Sequence, residues 1–170
     1  MTDISQEFLQ ESRSLLVSDL LPKIERCLEH LTDEDVWSRP NDACNSIGNL
    51  LLHLRGNVTQ WIVAGVGGRA FERHRRQEFD ERTHIPAKAL VARLRAAVEE
   101  ADDVIAGLDA DALPSRRLIQ DYDVTALEAI YHVVEHFSMH TGQIIVLTKA
   151  RTGEDLKLWR PARETTPGRQ

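Results

Sequence analysis

The sequence is poor in features that would otherwise declare a class. Aromatic residues make up 5% of the 170 positions, and there are two cysteines, Cys27 and Cys44, with no CxxC pair. Two isolated thiols argue against a disulfide framework and against a zinc knuckle, so a reducing, cytoplasmic home is expected. No apolar run approaches the roughly 20 residues that a membrane span needs. The opening MTDISQEF lacks the basic-then-apolar order of a signal peptide. Basic excess is missing too: the formal net charge is −6 and the pI about 5.6. Nucleic-acid binding needs a clustered basic face. The single Arg-rich stretch, around Arg73, Arg75 and Arg76, is interrupted by Glu72, Glu78, Asp80 and Glu81 and reads as a solvated loop. Neither a nucleic acid nor a membrane is therefore expected as a partner.

What is present favours helix. Val/Ile/Thr strand runs are scarce, while Ala, Leu, Glu and Arg dominate. With 42% apolar and 28% charged residues, the chain has the balance of one ordinary globular domain. Four helical segments follow from periodicity. The first, from about Ser5 to Leu31, places Phe8, Leu9, Leu16, Leu20, Ile24, Cys27, Leu28 and Leu31 at helical spacing, with a kink expected at Pro22 and Cys27 in the core. The second runs from about Ser46 to Val66, capped by Asn45 or Ser46 and ended by Gly67-Gly68. Gly48 and Gly56 each cost this helix about 1 kcal/mol against Ala, which close helix packing has to offset. A long polar connection, Gly67 to Ile85, can cross the end of a bundle. The third helix starts near Pro86 and reaches about Leu108. After a connector over 109–124, the fourth begins at Thr125, where Thr125-Ala-Leu-Glu128 reads as a capping box, and ends near Gly153. The fold class is thus all-α, a four-helix bundle over residues 1–152, followed by a flexible tail over 153–170.

The chemistry lies in the histidines. Three of the seven are His132, His136 and His140, at i, i+4 and i+8 on the fourth helix. Imidazoles one turn apart, about 6 Å along the axis, can converge on one ion. All three cannot, since the outer two are about 12 Å apart on an ideal axis and metal–nitrogen bonds are about 2.0–2.1 Å. One adjacent pair therefore binds, and His136 belongs to either. A third ligand has to come from another helix. His53 stands out as a polar group in the apolar middle of the second helix. The alternative is a cluster of hydrogen-bonded, pH-sensitive histidines. His30, His74 and His84 fall at a helix end or in polar loops and are expected to be exposed.

Two segments resemble a known family. Asn45-Ser46-Ile47-Gly48-Asn49-Leu50-Leu51-Leu52-His53-Leu54-Arg55-Gly56-Asn57 resembles the second-helix motif of the DinB-like (damage-inducible) superfamily, and Glu135-His136-Phe137-Ser138-Met139-His140-Thr141-Gly142-Gln143-Ile144 its last-helix motif. They stand in the right order and cover, with what lies between, nearly the whole chain apart from the tail. The resemblance implies an up-down-down-up bundle, commonly a homodimer, holding a divalent ion, usually nickel or zinc, on a histidine triad. The triad maps onto His53, His136 and His140, which selects the 136/140 pair and leaves His132 as a neighbour of the site. Relatives include transferases and isomerases that use bacillithiol, mycothiol or glutathione. The implied function is a metal-dependent thiol transferase acting on small electrophiles, with the low-molecular-weight thiol as a second cofactor. Gln143 and Glu135 are candidates to orient an imidazole, and Arg55 and Asn57 to touch a small-molecule substrate. The alternatives are a non-catalytic, metal-stabilised stress-response or binding protein, and a metal-dependent hydrolase, for which no general base is obvious.

Overall fold

The computed structural model describes residues 3–159. Asp3 caps α1 (Ile4–Ser14), its carboxylate accepting from the Ser5 amide at 3.0 Å. The helix continues through a π-helical stretch, Leu15–Leu20, into α2 (Leu21–Leu28). Pro22, where a kink is expected, lies two residues beyond the end of that wide stretch. Proline has no N–H to give and its ring crowds the preceding turn, and π turns are a recognised way for a helix to absorb such a misfit. The short α3 (Asp33–Trp37) is held by a capping box between Thr32 and Asp35. Then comes α4 (Ile47–Val58), capped by Ser46, and a second π-helical stretch, Thr59–Val66.

The long connection is not structureless: it carries α5 (Arg75–Asp80). After Pro86, α6 (Ala87–Ala106) runs for 20 residues. The connector that follows holds a 3₁₀ turn, Ala110–Ala112, and an antiparallel hairpin of β1 (Arg116–Ile119) and β2 (Tyr122–Thr125). The chain is mostly helical, as the all-α expectation has it, with this one small pair of strands added. Gln120 and Asp121 at the turn have φ of 50° and 66°, the left-handed values a two-residue hairpin turn demands. Neither is the glycine that usually marks such a turn. The last helix, α7 (Ala126–Thr152), opens with the expected Thr125–Glu128 capping box and closes on Gly153 at φ 70°.

The first two long helices each pack against both of the last two: α1 on α6, α2 on α7, and α4 on α6 and α7. Leu16, Ile24, Leu54, Ile62, Leu94, Ile130, Phe137 and Ile144 are fully buried between them, as is Cys27. Each large apolar side chain removed from water contributes about 1.5–3 kcal/mol. The two helix glycines have the reason expected of them. A Cβ on Gly48 would stand 2.9 Å from the Trp37 ring, and one on Gly56 would overlap Glu78. No helix among the described residues is long and apolar enough to cross a membrane.

The segment after Gly153, expected to be flexible, packs back as far as it is described. Leu156 is fully buried, and Arg26 Nε donates to its carbonyl at 3.4 Å. His30, expected to be exposed, is half-buried because Glu154 of this segment reaches its Nδ1 at 2.5 Å. The rest of the expected tail, residues 160–170, lies outside the described residues.

Candidate metal centre

Three helical turns bring the site together. His53 comes from the middle of α4, and His136 and His140 come from successive turns of α7, which packs against it. One nitrogen of each ring lies within 4.8 Å of the others, and among the described residues this is the group of potential metal ligands that gathers so closely. His53 Nε2 and His136 Nε2 are 2.8 Å apart. His132, one turn earlier, faces the same region without joining it. Its ring lies 4.3 Å from that of Trp61, and its Nε2 is 3.2 Å from Asn57 Nδ2.

The hydrogen bonds around the triad set its tautomers. His53 Nδ1 is 2.9 Å from Glu78 Oε2. Arg73 Nη2 is 3.1 Å from the same nitrogen but donates to Glu78 Oε2 and the His53 carbonyl, and with the ring's proton on Nδ1 facing the nearer carboxylate, Nε2 presents a bare lone pair inward. His140 Nδ1 likewise donates to Gln143 Oε1 at 2.7 Å, and its Nε2 is buried with no partner. An unpartnered lone pair in a buried place is costly. Two inward lone pairs beside a third imidazole therefore fit a shared cation better than they fit one another. A carboxylate or amide behind the ligating ring is the usual device for orienting it and raising its basicity. Gln143 stands behind the His140 ring in this position. Glu135 is exposed and lines a different cavity, beside Asp19 and Lys23.

Glu78 and Arg73 were not legible as site residues. Arg73, expected in a solvated loop, has a side chain only 3% exposed. Its Nε donates to Glu78 Oε1 at 2.7 Å, and its Nη2 to Glu78 Oε2 at 2.8 Å and to the His53 carbonyl at 3.2 Å. The connection is strapped to α4 by buried Asn49. Its amide donates to the Glu78, Glu81 and Phe79 carbonyls at 2.9, 3.2 and 3.4 Å, serving the orphan carbonyls at the end of α5. Gly56 is what lets Glu78 come this close. Gly56→Ala is expected to cost about 1–3 kcal/mol, the range for overpacking a filled site, and to weaken metal binding in parallel. Denaturant unfolding and metal titration of the one variant read both. Unchanged affinity would separate Gly56 from the site.

Burial, then the neighbouring His140 and His53, push the His136 imidazole down to about 3. Burial also lowers His140, against the opposing bond from Gln143, and lowers His132. Burial alone would raise Glu78, but its bonds to His53 and Arg73 outweigh that and hold it below the usual carboxylate range. His136 and His140 are thereby held in the neutral form, as ligands must be. The sign for stability follows. In the metal-free protein, the unfolded chain takes up a proton on His136 near its ordinary 6.5, whereas the folded one resists until about 3. Stability is present above the ordinary value and is lost as pH falls through that window. Urea midpoints measured across it should fall more steeply for the native chain than for His136→Gln. Parallel curves would refute the assignment.

A cavity of about 470 Å³ opens beside the triad, lined by His53 and His136 together with Asn57, Trp61, Arg75 and His132. Asn57 thus stands where substrate contact was considered, while Arg55 is exposed elsewhere. The hairpin closes one side through Gln120 and Tyr122, and Gln120 Nε2 donates to Gln60 at 2.5 Å. Cys44 is half-buried and lines another cavity with Gln143, so it supplies no fourth ligand.

A helical bundle with this histidine cluster set between two of its helices has a DinB-like fold. It aligns with the crystal structure of a DinB-like protein from Bacillus cereus ATCC 10987 at TM-score 0.67 and 18% identity, over 89% of this chain and 94% of that one. It aligns with that of a conserved protein from Enterococcus faecalis at TM-score 0.72 and 15% identity, over 91% and 100%. Residues 3–164 match the family described as "Protein of unknown function (DUF1572)", and the chain belongs to that family. No curated protein matches it.

Proposed function

We propose that this chain is a divalent-metal-dependent transferase that joins a low-molecular-weight thiol, of the bacillithiol, mycothiol or glutathione kind, to a small electrophile. The observation that carries the reading is the convergence of His53, His136 and His140 on one point beside a cavity. Three protein ligands and an open side are the mark of a working rather than a structural site. Nickel or zinc, held by three neutral imidazoles, would keep its double charge and favour the ionised form of a thiol beside it. The chain's own part is to hold the ligands. Glu78 and Arg73 fix His53, Gln143 fixes His140, and Trp61 and the hairpin keep water from one side.

The hydrolase reading lacks a base. Glu78, the carboxylate at the triad, has both oxygens engaged by Arg73 and His53. The up-down-down-up course and a homodimer belong to the same proposal. In support of the dimer, α7 exposes Leu127, Tyr131, Met139 and Val146 along one side. The test is thiol consumption by the nickel- or zinc-loaded protein, with a panel of small thiols and electrophiles. Conjugates that form with metal and disappear on chelation are expected. A metal-loaded protein that consumes no thiol, yet melts on chelation, would replace this reading with the metal-stabilised binding protein.

A further inference from the structure

We propose that the cavity beside the triad binds a small organic acid: a flat, apolar body with a carboxylate held by Arg75 and an N–H or O–H group donated to Asn57. This names a substrate class for the function proposed above and rests on that reading only in treating the cavity as the substrate's place.

The walls define the body. Trp61 is buried to 7% exposure, with the His132 ring at 4.3 Å on one side and the Tyr122 ring at 6.3 Å on another. Val124 completes an apolar slot. A volume of about 470 Å³ lies in the range of small-molecule sites.

The charges define the head group. Of the two arginines lining the cavity, Arg73 is committed to Glu78. Arg76, next in the chain, pairs with Asp80. Arg75 meets no carboxylate among the described residues and lies over the Phe79 ring, 5.1 Å from its centre. Arg75 is exposed at the cavity wall, and a guanidinium that lies on a ring and lacks an anion is available to a planar carboxylate. Glu128, the acid at the cavity wall among the described residues, accepts from the Thr125 amide and hydroxyl at 2.6 and 2.9 Å as the cap of α7, so it does not spend the charge of Arg75.

The remaining polar atom defines the donor. Asn57 is 3% exposed; its Nδ2 faces His132 Nε2 at 3.2 Å, and its Oδ1 is buried without a partner. An acceptor stranded in this way gains from a ligand that brings a hydrogen.

The test uses 3-phenylpropanoate, its uncharged isostere 3-phenylpropanamide, and 3-phenyllactate, which adds a hydroxyl to the first. Each is titrated into the full chain, metal-free and zinc-loaded. Binding is read at the Asn57 side-chain amide and the Trp61 indole by ¹⁵N NMR, with the Trp37 and Trp159 indoles as internal controls. The acid should bind about tenfold more tightly than the amide, the size of one charge-assisted contact, and phenyllactate more tightly still. Arg75→Ala should erase the acid's advantage without weakening the amide, and Arg75→Lys should restore part of it. Equal binding of acid and amide, an advantage that survives Arg75→Ala, or shifts that favour Trp159 over Trp61 would each overturn the proposal. An advantage seen only with zinc would move the carboxylate to the ion, ending the role of Arg75 while leaving the metal reading intact. A metal-free protein that prefers the acid but never takes up zinc would do the reverse.

Discussion

His53→Ala is expected to reduce nickel or zinc affinity by well over about 100-fold, the upper end of what is lost when only a partner behind a ligand is removed. His140→Ala should do the same. His53 is the sole ligand offered by α4, so without it the two α7 imidazoles are a pair one turn apart on a single helix. Such a pair keeps some affinity but no longer ties two helices together. Metal content after purification and a competitive chelator titration give the number. The thermal shift on adding metal gives the coupling, because an ion that binds only the native form stabilises it in proportion to its affinity. That shift should be large in the native chain and nearly absent in His53→Ala. His132→Ala is the control: its ring stands outside the triad, so both readouts should stay close to native. A His53→Ala protein that retained native affinity would remove the basis for the site.

Glu78→Ala should be the most damaging change outside the triad. Arg73 is buried, and its guanidinium is balanced by the two oxygens of Glu78. Removing one member of a buried pair leaves the other charge uncompensated and costs about 3–5 kcal/mol. The same change frees His53 Nδ1 from its acceptor, for which about a 10–100-fold loss of metal affinity is expected. The two effects can be separated. The double replacement Arg73→Met with Glu78→Leu removes both charges and fills the space with apolar atoms, so much of the stability should return while the affinity should not. Denaturant unfolding of the metal-free proteins and metal titration of the folded ones test the two halves. Recovery of both in the double variant would mean that the pair is a structural strap with no bearing on His53.

Much of this was legible in the chain. Thr125 and Glu128 marked the start of α7, and Gly153 its end, because a cap depends on a few neighbouring residues and little else. Gly48 and Gly56 declared close packing by being poor helix formers inside a good helix, though not what they pack against. The i+4 spacing raised the metal site but left two pairs open, since geometry on one helix cannot say which pair a distant ring will meet. Arg73 and Glu78 were hidden for the same reason. They sit among Glu72, His74, Arg75 and Arg76 in a stretch whose composition is that of a solvated loop, and their burial arises from its docking on α4 through Asn49. The hairpin was hidden because Gln120 and Asp121 take up a backbone shape that other sequences usually give to glycine or asparagine.

The hairpin also sets the order in which the molecule comes apart. A two-stranded ribbon has little cohesion of its own, and this one is seated by Ile119, whose side chain fits where Gly65 has none. Its amides should exchange with solvent well before those of the long helices, in an opening far cheaper than global unfolding. Because Gln120 and Tyr122 travel with it, each such excursion unroofs one flank of the histidine chamber while the rods that carry the rings stay folded. Entry and exit of a small molecule would then be timed by the grip of Ile119 and of the Gln120–Gln60 bond beside it.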